Sequence, residues 1–161
     1  MIMRTIKIFS IVILSFFLSS CDQDDDPQTI DLEATTIDYE LVGTTSPTTG
    51  EVRLTAIVTN IGNSNFNSSS GQQFIQLSRR ELGSTAETVL ETNNFTVLNR
   101  GDAITLVVVI NWNTAIEFQP EFILRISYDP DILLDDNPNN DDTNSTNNSF
   151  VLSGFDINGL F

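Results

Sequence analysis

The feature that most constrains this chain is a period-two alternation of apolar residues. Apolar residues recur at every second position from Val52 to Val58, and most of 104–112 and 122–128 follow the same pattern. Such alternation places one face of a β-strand in a core and the other in solvent, whereas helical periodicity is nearly absent. Clusters of Gly, Asn, Ser and Pro separate the strand-like stretches. The sequence therefore predicts an all-β protein, a single antiparallel β-sandwich of seven to eight strands.

Two local patterns refine this prediction. The alternation slips by one residue at Thr35–Thr36, which predicts a β-bulge. The stretch 104–112 also carries Val107 and Val109 on its second face, which favours a central strand covered in part on both sides. The residues expected to form the core are Leu54, Ala56, Val58, Ile104, Leu106, Val108, Ile110, Leu124 and Ile126.

The strand count decides where the long loops lie. Residues 88–98 keep one register and contain no Gly or Pro, so we interpret them as one strand bent at Asn93–Asn94, giving seven strands. Consecutive antiparallel strands alternate in direction. The loops 61–71 and 129–147 are then expected at the same end of the sandwich as its N-terminus. Two separate strands in 88–98 would move the second loop to the opposite end.

The beginning of the chain has the pattern of an export signal. Arg4 and Lys7 precede an apolar run, Ile8–Leu18, that is too short to span a bilayer. The following Leu-Ser-Ser-Cys resembles the lipobox of bacterial lipoproteins, which implies cleavage before Cys21 and lipidation of that cysteine. Several acyl chains would give stable anchoring in the membrane. An ordinary signal peptide with a chance cysteine is the alternative, but Cys21 is the only cysteine in the chain.

These patterns divide the chain into a lipoprotein signal peptide (1–20), a lipidated acidic tether (21–29) and a β-sandwich domain (30–161). The acids of the tether have three interpretations: a solvated spacer, a signal for export to the outer cell surface, or retention at the inner membrane through the first Asp. We favour the surface signal because the acids continue beyond one position. The residues of this signal are Asp22, Asp24, Asp25 and Asp26.

Charge and composition exclude several functions. Arg4 and Lys7 precede Cys21 and none of the 22 acids does, so the chain from Cys21 onward carries a formal charge of 5 − 22 = −17. Such a chain repels phosphate backbones, and we expect no nucleic-acid binding. Histidine is absent, which excludes imidazole bases and the common zinc sites. We expect no catalytic residues and no disulfide within one chain.

The loop 129–147 is rich in Asp and Asn, whose side-chain oxygens are ligands that Ca²⁺ prefers. It is not an EF-hand, because Asn140 and Thr146 occupy the positions of the required Gly and Glu. A solvated, mobile acidic loop is the simpler interpretation and is favoured; a calcium site remains open. Its proposed ligands are Asp129, Asp131, Asp135, Asp136, Asn139 and Asp141.

Three other features have a functional and a structural interpretation. Arg100-Gly101-Asp102 spells an integrin-recognition tripeptide, but Gly and Asp are expected in a tight turn. Trp112 has the side chain of a sugar-stacking platform, yet at the end of an apolar strand it is more often a core residue. Arg79-Arg80 is the densest positive spot and is expected to pair with local acids. The structural interpretation is favoured for each.

Three segments together resemble the CARDB family, the cell-adhesion-related domain of bacteria. Residues 56–63 resemble its strand followed by Asn-x-Gly, here Asn60 to Gly62. Leu98 with Gly101, before a strand ending in Trp112, is similar to its Leu-x-Pro-Gly turn, although Arg100 replaces Pro. Residues 126–130, followed by acids, resemble its closing segment, although the acidic loop is longer than usual. The resemblance implies an Ig-like sandwich with an extracellular binding or adhesion role and no defined ligand.

The functional expectation is a non-catalytic binding or adhesion module, lipid-anchored in the bacterial outer membrane and facing the cell exterior. Its expected partners are the membrane, through the lipid anchor, and an extracellular protein or glycan. The alternative is a small structural accessory lipoprotein that packs onto a larger envelope complex. A carboxylate-based hydrolase has little support, because the acids lie in loops rather than across a cleft at the required separation.

Overall fold

The computed structural model describes residues 27–161, and the predictions made for Cys21 and the acids 22–26 lie outside this range. The described chain forms antiparallel sheets packed as a sandwich, which confirms the predicted all-β fold. Its strands are β1 (Leu32–Ser46), β2 (Thr49–Asn60), β3 (Phe66–Asn67), β4 (Gln73–Arg80), β5 (Glu87–Asn94), β6 (Val97–Leu98), β7 (Ala103–Asn113), β8 (Glu121–Tyr128) and β9 (Ser149–Ser153). The helical elements are α1 (Gly154–Ile157) and three 3₁₀ turns, Ile132–Leu134, Ser145–Asn147 and Asn158–Leu160. Within residues 27–161, none of the helices has the length and apolar character needed to cross a membrane.

Seven of the strands build the two main sheets. Sheet I has the order β1-β2-β7 and sheet II the order β5-β4-β8-β9, while β3 and β6 form a separate two-stranded ribbon. The strand count is therefore nine rather than seven to eight. The two additional strands are only two residues long each, which is too short for a periodic signal in the sequence.

The segment predicted as one bent strand is divided between two sheets. β5 pairs with β4, whereas β6 pairs with β3. The bend lies at Phe95–Thr96 rather than at Asn93–Asn94. Phe95 is buried and its ring packs against that of Phe66, with centroids 5.4 Å apart. This aromatic contact accounts for the bend being displaced from the two asparagines.

The loops collect at two ends of the sandwich, which we call the N-terminal pole and the C-terminal pole. The N-terminal pole contains residues 27–31, the loop 61–72, the turn 95–102 and the acidic loop 129–148. The C-terminal pole contains the turn 47–48, the loops 81–86 and 114–120, and residues 154–161.

The acidic loop lies at the N-terminal pole, as predicted, although residues 88–98 form two strands rather than one. Because β6 is only two residues long and stays within the turn at that pole, it does not carry the chain to the opposite end. Its Asn139 carbonyl accepts a hydrogen bond from the Asn67 N–H at 2.8 Å. The Thr143 N–H donates to the Ile30 carbonyl at 2.9 Å, and Asp142 Oδ1 accepts from the Leu32 N–H at 3.4 Å. These contacts join the loop to the beginning of the sandwich.

The predicted core is confirmed at most of its positions. Three of the nine residues, Ile104, Val108 and Ile110, are only half-buried, and they lie on β7 at the margin of the core. The reason is that β7 is the outermost strand of sheet I and not a central strand. The buried members are Leu54, Ala56, Val58, Leu106, Leu124 and Ile126.

The prediction that β7 is a central strand is wrong, and its second face is covered only in part. Val107 is 52% exposed and Val109 is 51% exposed. They pair with Thr55 and Arg53 of β2 on the outer face of sheet I. Apolar content on both faces of a strand favours, but does not require, a central position, because β-branched residues also suit exposed strand positions.

The Asn60-Ile61-Gly62 segment has a clear physical role at the N-terminal pole. Asn60 is fully buried, and its Nδ2 donates to the carbonyls of Ser64 and Leu98, each at 2.9 Å. Its Oδ1 accepts from the Gly62 N–H at 3.1 Å. A Cβ at Gly62 would lie 2.4 Å from the Thr29 carbonyl oxygen, so a larger residue would displace the incoming chain.

The start of the described chain and the first strand complete the fold. Asn63 Nδ2 donates to the Pro27 carbonyl at 3.0 Å, and Asn63 Oδ1 accepts from the Thr29 N–H at 2.8 Å. Residues 27–29, which were predicted to belong to a flexible tether, are therefore held against the domain. The predicted bulge at Thr35–Thr36 is confirmed by a register shift between Ala34 and Thr36.

Candidate functional sites at the two poles

The acids of the acidic loop are dispersed along the loop. Asp129 Oδ1 accepts from the Asp131 N–H at 3.0 Å, and Asp135 Oδ1 accepts from the Asn137 N–H at 2.9 Å. Asp136 adopts φ +58°, in the left-handed region. Among residues 27–161, no three His, Cys, Asp or Glu side chains lie together as metal ligands would. The structure therefore does not bring together the predicted ligands Asp129, Asp131, Asp135, Asp136, Asn139 and Asp141.

Asp135 is instead used to fix the loop. Its Oδ2 accepts hydrogen bonds from Asn140 Nδ2 and from Gln72 Nε2, each at 2.8 Å. The hydrogen bond from Asn140, followed by that from Gln72, holds the pKa of Asp135 below its usual range. Asp135 is thus an acceptor that joins the acidic loop to the residue just before β4.

A cavity of about 270 Å³ lies beside this loop at the N-terminal pole, and we call it the N-terminal cavity. Its lining includes Tyr128, Asp129, Asn140, Asp142 and Asn148. The Tyr128 hydroxyl donates to Asp142 Oδ2 at 2.9 Å. Burial, reinforced by the nearby Asp142 carboxylate, raises the pKa of Tyr128 far above its ordinary value.

Two residues that line the N-terminal cavity each have a buried amide oxygen without a hydrogen-bond partner. These oxygens are Oδ1 of Asn140, whose side chain is fully buried, and Oδ1 of Asn148. The sequence analysis did not select either residue. Nothing in the sequence distinguishes Asn140 from Asn139, because burial depends on how the loop folds back onto residues 68–72.

A second cavity, of about 280 Å³, lies at the C-terminal pole, and we call it the C-terminal cavity. It is built from four distant parts of the chain: the end of β1 with the start of β2, the end of β4, the end of β7 and the loop before β8. The hydrogen bond from the Thr114 N–H to the Thr48 carbonyl, at 2.9 Å, holds two of these parts together. The lining includes Thr49, Arg79, Trp112, Ile116 and Gln119.

Two residues that line the C-terminal cavity each carry one buried polar atom without a hydrogen-bond partner. Gln119 is buried, and its Nε2 donates to the carbonyls of Asn113 and Ile116, each at 3.1 Å. These two bonds orient the amide and leave its buried Oε1 without a partner. Arg79 forms an ion pair with Glu81 at 2.9 Å, while its buried Nε also lacks a partner.

The structural interpretations of Trp112, Arg79-Arg80 and the Arg-Gly-Asp segment are confirmed. Trp112 is 5% exposed, and its indole N–H donates to Asn158 Oδ1 at 2.9 Å. Arg80 pairs with Glu121 at 2.6 Å. Gly101 has φ +78° in a tight turn, where its N–H donates to the Asn60 carbonyl at 2.9 Å.

What the sequence analysis missed is that Trp112 and Arg79 line the same cavity. The two residues are far apart in the chain and lie in different sheets, at the ends of β7 and β4. The sequence alone does not indicate that these two residues are close in space, because their proximity depends on how the two sheets pack.

Comparison with known proteins adds little to this picture. No family model and no curated protein matches the chain. Among solved structures, the chain is similar to a beta-glucosidase from Kluyveromyces marxianus in complex with glucose (12% identity, TM-score 0.33, 80% of this chain and 14% of that one). It is also similar to a novel b-glucosidase from Erythrobacter marinus (12% identity, TM-score 0.34, 77% and 15%). The chain thus spans about a seventh of the length of these enzymes, and a TM-score of this size gives no basis for a family or an activity.

Proposed function

We propose that this protein is a non-catalytic binding or adhesion module, lipid-anchored through Cys21 in the bacterial outer membrane and facing the cell exterior. The lipobox-like sequence, the acidic run after it and the resemblance to CARDB domains support the proposal. The partner is an extracellular protein or glycan that the C-terminal cavity recognises.

The observation that carries the proposal is the C-terminal cavity, whose lining residues Arg79 and Gln119 each have one buried polar atom without a hydrogen-bond partner, Nε and Oε1 respectively. Buried polar groups are normally hydrogen-bonded, and leaving one unpaired costs about 1–3 kcal/mol. A ligand that offers both an acceptor and a donor, such as a sugar hydroxyl or a peptide amide, would remove both deficits when these two side chains turn toward it.

The position of the cavity agrees with display on a membrane. The carbonyl of Pro27, the first described residue, accepts a hydrogen bond from Asn63 at the N-terminal pole. The C-terminal cavity lies at the other end of strands as long as the 12 residues of β2. A chain anchored through its N-terminus would therefore present this cavity away from the membrane.

The test uses cells that display the full chain and measures their retention on immobilised panels of extracellular glycans and matrix proteins. Ile116 at the rim of the cavity and Ile61 at the opposite pole are similarly exposed, at 46% and 51%. We expect Ile116→Arg to abolish retention on the probe that the wild type binds, and Ile61→Arg to leave it unchanged. Equal retention of the two variants, or no retention of the wild type on any probe, would contradict the proposal.

A second candidate, a structural accessory of a larger envelope complex, is favoured by one observation. Val107 and Val109 are exposed side by side on the outer face of the edge strand β7. An apolar strip on an edge strand suits pairing with another protein. If this function is correct, one large membrane protein co-purifies stoichiometrically with the wild type and is lost with Val107→Lys. The variant Val89→Lys, on the edge strand of sheet II, serves as the control.

A further inference from the structure

Four strands form the edges of the two main sheets, and three of them carry features that hinder pairing with another chain. Sheet I ends in β1 and β7, and sheet II ends in β5 and β9. β1 has three acids and three register shifts, and β5 has two acids and one register shift. β9 has only five residues. Charge, irregular pairing and shortness protect an edge strand, whose free N–H and C=O groups otherwise bond to another strand.

β7 has none of these protective features. Its 11 residues, Ala103–Asn113, include no charged residue, Gly or Pro, and it pairs with β2 without a register shift. Ile104, Val108 and Ile110 pack against the core but are only half-buried. Within residues 27–161, this edge of sheet I is therefore not fully covered. We infer that β7 pairs antiparallel with β7 of a second copy of this chain, which joins the two copies of sheet I into one continuous sheet.

A second copy fits this edge because β7 is complementary to itself about Val108. When two copies run antiparallel with Val108 opposite Val108, Thr105 meets Asn111 and the apolar residues between 104 and 112 meet one another. The apolar pairs are Ile104 with Trp112, Leu106 with Ile110, and Val107 with Val109. Directly opposed side chains of matching character stabilise an antiparallel pair. Centring the pair on Val107 or Val109 instead would place a valine opposite Thr105 or Asn111.

The charge of the protein also favours this edge over the others. The chain from Cys21 onward carries a formal charge of 5 − 22 = −17, so two copies repel each other over most of their surface. β7 brings no charge to the contact. Arg53, which lies on β2 beside Val109, is ion-paired with Glu40 of β1. The edge formed by β7 is thus where two copies can approach with little repulsion.

The direction of the pairing determines how two copies are placed. β7 runs from the turn 95–102 at the N-terminal pole to the loop 114–120 at the C-terminal pole. Antiparallel pairing therefore puts the N-terminal poles of the two copies at opposite ends. Copies anchored through Cys21 in one membrane share one orientation and do not pair in this way, whereas copies on two facing membranes do. This last step rests on the proposed anchoring, and it gives the adhesion module a contact between like molecules on neighbouring cells.

Disulfide cross-linking of the full-length protein in detergent tests the pairing without constraint from a membrane. Opposed residues in an antiparallel pair have Cα atoms about 4.5–5.5 Å apart and diagonal neighbours about 7–8 Å, whereas a disulfide requires less than about 7 Å. We expect a mixture of Val107→Cys and Val109→Cys to form a disulfide between positions 107 and 109, identified by mass spectrometry of the linked peptides. Either variant alone is expected to lose this cross-linking. Val89→Cys, on the edge strand β5 and exposed to the same extent as Val107, is the control.

Two cross-linking results would overturn the inference. Cross-linking of the mixture no greater than that of Val89→Cys would indicate random collision. Equal cross-linking of the mixture and of each single variant would show that the pair is not centred on Val108. If Val107→Cys links instead to a larger membrane protein in cells, the edge belongs to the accessory function and not to a second copy.

Vesicles that carry the full-length protein test the contact between facing membranes. We expect wild-type vesicles to cluster when concentrated, Val107→Glu to abolish clustering while the protein stays on the vesicles, and Val89→Glu to leave clustering unchanged. Dilute vesicles that do not meet contain unpaired copies, so the orientation of one copy on its membrane is measured apart from this pairing. Loss of the wild-type protein from the vesicles would contradict the proposed anchoring and leave the cross-linking intact. Clustering that persists in Val107→Glu would contradict the pairing through β7.

Discussion

Buried amide side chains show how single residues in this sandwich differ in role. Asn60 is fully buried and uses both its oxygen and its nitrogen in three hydrogen bonds to the backbone. Asn140, Gln119 and Gln73 are similarly buried, yet each donates through its nitrogen and leaves its oxygen unpaired. Asn140 and Gln119 also line a cavity. Within the proposed function, Gln119 is the residue to which we assign ligand binding.

At the same scale, Leu106 tests the assignment of the inward face. Leu106 is buried on β7, and its neighbour Val107 points outward and is half exposed. Leu106→Ala is expected to lower the free energy of unfolding by about 2–5 kcal/mol, because it leaves a cavity in the core. Val107→Ala is expected to change it by no more than about 0.5 kcal/mol. Urea denaturation of both variants measures the difference, and similar losses for the two would mean that the inward face is misassigned.

Individual strands were predictable where one face is apolar and the other is polar. The alternation in β2 placed Leu54, Ala56 and Val58 in the core correctly. When only one face of a strand is buried, a shift by one residue would move all of its alternating apolar side chains into solvent. The position of β7 was not predictable, since Val107 and Val109 are compatible with either a central or an edge strand. The order of strands in a sheet depends on long-range pairing, which local pattern does not encode.

Neither cavity was predictable, for a related reason. The C-terminal cavity joins residues from β1, β2, β4, β7 and the loop 114–120, and the N-terminal cavity joins Tyr128 of β8 to the far part of the acidic loop. The residue types at these sites, such as Asn148 and Gln119, are common in exposed loops. Only the fold determines which of them are buried and unpaired.

An ion pair and its hydrogen bonds on the outer face of sheet II are expected to make the stability of this sheet depend on pH. Glu87 of β5 accepts hydrogen bonds from both terminal nitrogens of Arg125 at 3.1 Å, and from Ser78 Oγ at 2.7 Å. The bond from Arg125, followed by that from Ser78, holds the pKa of Glu87 below its ordinary value of 4.5. These contacts link β5, β4 and β8.

The sign of the effect follows from the lowered pKa. Above pH 4.5 Glu87 is ionised in both states and its contacts stabilise the fold; as the pH falls through its folded pKa, that stability is lost. Glu87→Gln is expected to lower stability at neutral pH by about 0.2–1 kcal/mol, typical of a partly exposed pair, and to flatten the acid side of the profile. Chemical denaturation as a function of pH provides the measurement. Glu91→Gln, on the same strand, is the control, and an unchanged acid profile for Glu87→Gln would refute the assignment.

At the scale of the whole molecule, the proposed anchor and the proposed recognition site lie at opposite poles. The described chain begins at Pro27, whose carbonyl is hydrogen-bonded to Asn63 at the N-terminal pole, and the C-terminal cavity lies at the other end of the strands. We propose that the acidic residues at 22–26 direct export of the protein to the cell surface.

Replacing Asp24, Asp25 and Asp26 with Ala tests that proposal. The proposed lipidation at Cys21 does not involve these side chains, so the variant is expected to remain in the membrane fraction. It should, however, lose its accessibility to protease added to intact cells. Accessibility equal to that of the wild type would show that the run acts only as a spacer.

The central claim is that Cys21 anchors the protein with its C-terminal pole away from the membrane. Cys21 is the only cysteine and is acylated in this account, so a dye can be attached to a single introduced thiol. Ile61→Cys at the N-terminal pole and Leu82→Cys at the C-terminal pole replace side chains that are each about half exposed. The poles are separated by strands of 8 to 12 residues, or about 25–40 Å.

The measurement is quenching of each dye by headgroup-labelled lipids in vesicles that carry the full-length protein. The account predicts strong quenching at position 61 and little at position 82. It also predicts that Cys21→Ser, introduced into both labelled variants, removes the protein from the vesicles. Equal quenching at the two positions, or stronger quenching at position 82, would contradict the claim.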